Sequence, residues 1–338
     1  MKNVSDQVAV SPISMPTSKS AEIDIDREPL PSSNTGVQTP ADEQTANVGL
    51  VDWLSYTEHP ADPQDGAQAI MRRLYPGRDW RLGPHNGFEH GRQFADTCVL
   101  WNTAVNPCVH VKISGNACRM LEYYGQITDW SQFLRDIITA GARITRIDLA
   151  IDDRSGLLQM DDIRASGMAG DFVSRLRMHR PEVEYDRNNG NKQISDGYIF
   201  GSRNSDTQLR IYDKALEQKT KGPWIRCEIQ FRDERAQAAA EMIATSGLSG
   251  VPGLMRSCVD FKCPAPSKRR DRWVTTEWWT QFLGNTAKLR LGINPKNIQL
   301  DRDKKFMMRM ASVLARVDRD CGSEYLECVL KEGYRRLG

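Results

Sequence analysis

Three short segments of this chain alternate between polar and apolar residues with a period of two. Ile147-Asp148-Leu149-Ala150-Ile151-Asp152 sets Asp148 and Asp152 against Ile147, Leu149 and Ile151. Gln208-Leu209-Arg210-Ile211-Tyr212-Asp213-Lys214 sets Arg210, Tyr212 and Lys214 against Leu209 and Ile211. Ile225-Arg226-Cys227-Glu228-Ile229-Gln230-Phe231 sets Arg226, Glu228 and Gln230 against four apolar residues. Side chains two apart on a strand share a face, so each segment offers one face to a helix layer and keeps the other polar.

Around these segments strands and helices mix. Residues 94–101 and 108–113 are β-prone runs joined by a turn-rich link, the pattern of an antiparallel pair. Trp130, Phe133, Leu134, Ile137 and Ile138 fall on one helical face, with Thr128 or Asp129 as N-cap and Gly141 as the stop. A weaker helix is expected at 160–169, a loop at 186–191, and a hairpin from 197–201 and 207–212 joined by 202–206. An alanine-rich helix follows at 235–244, and from Thr275 onward the pattern is helical. This order predicts an α+β fold, a mainly antiparallel sheet packed with helices and followed by a basic helical C-terminal element. Residues 1–48, rich in Ser, Thr, Pro, Asp and Glu, read as a disordered acidic leader. Folded structure is expected to begin near Val51-Asp52-Trp53-Leu54, with a central domain at 50–262 and the basic helical region at 263–338.

The 338 residues carry a net charge of only +2, unevenly placed. The first 49 hold seven acidic residues against three basic, and residues 262–338 hold 17 basic against nine acidic. A basic C-terminal segment suits an anionic partner. No run approaches a membrane span, and no export signal opens the chain, so a cytoplasmic protein with reduced cysteines is expected. CxxC, HxH, HExxH, GxxxxGK[ST] and GxGxxG are all absent, which removes sequence support for zinc ribbons, zincins, thioredoxin-type redox sites and phosphate loops.

The polar faces carry three carboxylates, a tyrosine and several cations. Asp148 and Asp152 either meet basic partners or hold a hard cation through oxygen. Tyr212 between Arg210 and Lys214 is either a structural residue on a solvated face or a nucleophile whose phenolate the cations favour. Phosphoryl transfer to a tyrosine would use the whole set. Asp148, Asp152 and Glu228 would hold Mg²⁺ or Mn²⁺, Arg210 or Lys214 would lower the tyrosine pKa or bind phosphate, and the loop at 201–205 would supply Ser202 and Arg203 as nearby donors.

The ordered series Val51-Asp52-Trp53-Leu54, Arg146-Ile147-Asp148-Leu149-Ala150-Ile151-Asp152-Asp153, Phe200-Gly201-Ser202-Arg203-Asn204-Ser205, Arg210-Ile211-Tyr212-Asp213-Lys214 with Glu217, and Arg226-Cys227-Glu228-Ile229 resembles the replication initiation factor family. That family includes rolling-circle initiators of plasmids and filamentous phages and related relaxases. The resemblance implies that 50–262 is a nicking and joining domain with Tyr212 as nucleophile, Lys214 and Arg210 as supporting cations, and Asp148, Asp152 and Glu228 as metal ligands. Asp153 is the alternative to Asp152 if the strand ends early. It also implies a single-stranded or extruded hairpin DNA origin as substrate, a 5′-phosphotyrosine intermediate, and host polymerase and helicase as partners. Many rolling-circle nucleases hold metal with a His-hydrophobe-His motif, which this chain lacks, so the expected ligand set is all oxygen. With Tyr198 read as structural, termination needs water or a second subunit, hence a homodimer as one arrangement. A relaxase that starts conjugative transfer and a non-catalytic DNA-binding regulator are the competing readings. Lys268, Arg269, Arg270 and Arg272, ahead of Trp273, Trp278 and Trp279, are candidate DNA contacts together with Arg226, and Arg309, Arg316, Arg319, Arg335 and Arg336 extend the positive field.

Overall fold

A computed structural model describes residues 49–291 and 295–337, so the expected acidic leader lies outside the described residues. In chain order the elements are β1 (Leu50–Glu58), α1 (Pro63–Leu74), β2 (Arg81–Leu82), β3 (His90–Phe94), β4 (Thr97–Asn102), β5 (Cys108–Ile113), α2 (Gly115–Tyr123), α3 (Trp130–Thr139) and β6 (Arg143–Asp153). They continue with α4 (Met160–Ala169), β7 (Phe172–Ser174), β8 (His179–Asp186), β9 (Lys192–Phe200), β10 (Thr207–Asp213), α5 (Lys214–Gln218), β11 (Ile225–Arg232) and α6 (Glu234–Ser246). The last are α7 (Val251–Cys258), β12 (Val259–Phe261), α8 (Glu277–Leu283), α9 (Pro295–Cys321) and α10 (Ser323–Leu337).

Ten of the strands form one antiparallel sheet in the order β2-β3-β4-β5-β1-β6-β11-β10-β9-β8, while β7 and β12 pair separately. The α+β architecture with a mainly antiparallel sheet is thus the one the alternation predicts. The three alternating segments, now β6, β11 and β10, are adjacent and central. Their apolar faces are fully buried at Ile147, Leu149, Ile151, Cys227, Ile229, Leu209 and Ile211, and α6 packs its alanines against β6 and β11. Burial of these branched side chains, each contributing roughly 1.5–3 kcal/mol, fixes which face of the sheet turns outward. A one-residue slip would reverse every side chain.

Several expectations shift in detail. The stretch expected as a loop at 186–191 is the turn of a hairpin between β8 and β9, in which Gly190 and Asn191 take positive φ. Segment 263–283 packs against the body of the sheet. Lys262 bridges Thr275, the Cys263 N–H bonds to the Val274 carbonyl, and Trp279 is fully buried with its indole N–H on the Val259 carbonyl. The basic helical element proper is the pair α9 and α10, which exposes Phe306, Val313, Tyr325 and Val329.

Candidate active site

Register places the polar side chains of three strands in one patch. Asp148, Ala150 and Asp152 lie opposite Gln230, Glu228 and Arg226, and these in turn lie opposite Gln208, Arg210 and Tyr212. Gly197 of β9 lies opposite Tyr212, where a Cβ would sit 3.3 Å from the Tyr212 Cβ, so glycine lets the tyrosine seat closely. A cavity of about 90 Å³ opens beside Gly197, Arg210, Tyr212 and Glu217.

The Tyr212 hydroxyl donates to Glu228 Oε2 at 3.0 Å, and Arg210 holds Glu228 Oε1 at 2.5 Å. Burial opposes the Glu228 charge, but Arg210 outweighs it and holds the carboxyl below its ordinary range. Tyr212 goes the other way. Burial, seconded by the Glu228 carboxylate, pushes its phenol well above 10. The expectation of a tyrosine primed toward phenolate by Arg210 and Lys214 is therefore corrected. The two cations stand 5.6 and 5.5 Å from the ring centroid, over the ring rather than on the oxygen. The strand ends at Asp213, so Lys214 does not take the place on the strand face that the alternation gave it. Asp213 accepts the Leu216 N–H and caps α5, so Lys214 opens a helix, is buried, and pairs with Glu217.

The three expected metal ligands all lie in the patch, yet each already has a partner. Arg146 grips Asp148 through two nitrogens, at 2.9 and 2.5 Å, and Gln230 donates to the same carboxylate. Arg226 grips Asp152 through two nitrogens, at 2.6 and 2.8 Å, and gives its third to Asp52 at 2.8 Å. Glu228 is divided between Arg210 and Tyr212. Asp153, the alternative ligand, spends its oxygens on the Ser155 and Leu158 N–H groups. Among the described residues no three His, Cys, Asp or Glu side chains are grouped to hold a metal ion. The donor set thus does not fit Mg²⁺ or Mn²⁺ in this arrangement, because guanidinium groups neutralise the carboxylates.

Arg226 was expected to touch DNA. It is instead wholly buried between two carboxylates, and an ion with no surface cannot meet a phosphate. Ser202 and Arg203 sit on the loop at the Thr207 end of β10, five residues from Tyr212 and so roughly 16 Å along the strand, and do not join the patch. Lys268, Arg269, Arg270 and Arg272 are exposed near α8, with Arg269 paired to Asp271 and Arg270 5.9 Å from the Trp273 ring. Tyr198 is fully buried, bonded to His179, and packed so tightly on α4 that a Cβ at Gly167 would fall 2.3 Å from its ring.

Two partners escaped the sequence reading. Arg146 lies two residues before Asp148, and so on its face, and its guanidinium stacks 4.2 Å from the Trp53 ring; the period-two rule alone could have found it. Asp52 faces Arg226 because β1 shifts register between Val51 and Trp53, and no sequence pattern marks that bulge.

The antiparallel sheet thus presents a tyrosine hydroxyl on a carboxylate, with arginines alongside. The replication initiation factor model matches residues 142–330, more than half of the chain, and the protein belongs to that family. It is 27% identical over 294 residues to the protein named "Putative DNA relaxase NicK" of Bacillus subtilis (strain 168), covering 79% of this chain and 80% of that one. A rolling-circle replication initiator of Geobacillus stearothermophilus has a similar structure, with a TM-score of 0.62 and 25% identity over 73% of this chain and 99% of that one. The family resemblance carried by the five motifs is borne out. No helix among the described residues is long and apolar enough to cross a membrane.

Proposed function

We propose that this protein initiates rolling-circle replication by nicking one DNA strand at an origin, with Tyr212 as nucleophile. The observation that carries the reading is the phenol held on Glu228 at a partly exposed position, with Arg210 reaching solvent beside it. The tyrosine oxygen attacks phosphorus, the P–O3′ bond breaks, and the strand is left with a 5′-phosphotyrosine and a free 3′-hydroxyl. Glu228 takes the phenolic proton, and the departing O3′ gains one from the solvent side. When Arg210 turns from Glu228 to the phosphate, it stabilises the developing charge, and Glu228 loses its counterion and becomes a better base. The phosphotyrosine keeps the bond energy, so a second transesterification can rejoin the strand without ATP.

In this reading a host polymerase, aided by a helicase, extends the 3′ end in the cytoplasm. The exposed cations at Lys268, Arg269, Arg270 and Arg272 contact the DNA backbone, and a second subunit or water resolves the adduct. A relaxase starting conjugative transfer would use the same step, and the similarity to a protein with that name supports it as the second reading.

The test is nicking of supercoiled DNA that carries this gene and its flanks. Wild type should give open circles with a protease-sensitive 5′ end, and Tyr212→Phe should give none. Nicking without an adduct would make the protein a hydrolytic nuclease, and binding without nicking would make it a regulator.

A further inference from the structure

A second concavity lies at the opposite end of β10 from Tyr212, on the helix-covered side of the sheet. It encloses about 350 Å³, a size suited to a small ligand. Phe231 and Leu254 form an apolar floor, and Arg175, Arg235 and Arg290 stand around it. None of these three guanidiniums takes part in an ion pair or side-chain hydrogen bond among the described residues. By contrast, Arg146, Arg210 and Arg226 are all paired with carboxylates. Thr207, also in the lining, is buried with a hydroxyl that has no hydrogen-bond partner among the described residues. Unpaired cations and an orphaned hydroxyl around an apolar floor are what a bound anion with an apolar body would satisfy.

We propose that this cavity binds a nucleotide, with its phosphate on Arg175, Arg235 and Arg290 and its base against Phe231 and Leu254. Three arginines with the carboxylate of Asp206 leave a charge of +2. That balances a phosphate monoester dianion or two successive backbone phosphates. The site is separate from Tyr212 and does not depend on the nicking reading.

Two probes distinguish the sources, adenosine monophosphate for a free nucleotide and a six-residue oligothymidylate for a strand passing through. Each is titrated calorimetrically into the full chain, as wild type, Arg235→Gln and Arg290→Gln. The last variant changes an exposed residue, so its fold is retained. At least one probe should bind wild type and lose on the order of tenfold in affinity in both variants. Loss for the monophosphate identifies a free-nucleotide site, and loss for the oligomer alone identifies a strand contact. Absence of binding to wild type, or affinities unchanged in both variants, would overturn the proposal.

Discussion

The hydroxyl of Tyr212 and the carboxylate of Glu228 are joined by a 3.0 Å hydrogen bond in which the phenol donates. Burial and the Glu228 charge keep the tyrosine neutral, while Arg210 keeps Glu228 ionised against the opposing effect of its own burial, so proton donor and acceptor are already paired in the resting protein. On the proposed reading Glu228 is the base for the nucleophile rather than a metal ligand.

Glu228→Gln keeps an acceptor for the tyrosine but removes the base. Nicking should slow by about 10²–10⁴-fold, while affinity for an origin hairpin changes little. Single-turnover cleavage on a labelled hairpin checks this, and a wild-type rate would remove Glu228 from the chemistry.

Arg226 holds two otherwise uncompensated buried carboxylates, Asp52 and Asp152. Arg226→Met should therefore destabilise the fold by about 3–5 kcal/mol, seen as a lower urea midpoint. A stability loss under about 1 kcal/mol would place the arginine at the surface after all.

Burial raises the Asp52 carboxyl from 3.8 to about 6, against the opposing pull of Arg226. Between those values the folded protein holds a proton that the unfolded chain has released, so this group makes stability fall as pH rises from 4 to 6. The size is on the order of 2–3 kcal/mol. In Asp52→Asn that part of the slope should vanish, which urea titrations at pH 5 and 7 would reveal. Parallel slopes in the two proteins would contradict the assignment.

Because arginines already grip Asp148, Asp152 and Glu228, a divalent cation would have to displace a guanidinium to bind the free protein. Mg²⁺ or Mn²⁺ at millimolar concentration should move the melting temperature of DNA-free protein by less than about 2 °C, the shift expected of binding too weak to matter. A rise of several degrees that disappears in Asp148→Asn would show a metal site.

The central strands were legible because a half-buried strand writes its period of two directly into Ile147–Asp152 and its two partners, and because register then forces their polar faces together. The partners within that face were not legible. Which carboxylate Arg226 meets depends on cross-strand neighbours and on the bulge in β1, both set by tertiary packing. A similar limit applies to Lys214. Alternation carried it onto the strand face, whereas the Asp213 side chain competes for backbone N–H groups and starts α5 instead. The strand β8 escaped because its burial alternates only weakly, as befits an edge.

The proposed nucleophile is one oxygen atom, the Tyr212 hydroxyl. Protein incubated with a labelled origin oligonucleotide should be digested with trypsin, and the peptide carrying the nucleotide sequenced by tandem mass spectrometry. A nucleotide mass on Tyr212 of the peptide containing Ile211-Tyr212-Asp213-Lys214 is the predicted result. The same mass on any other residue, or cleaved DNA with no modified peptide, would contradict it.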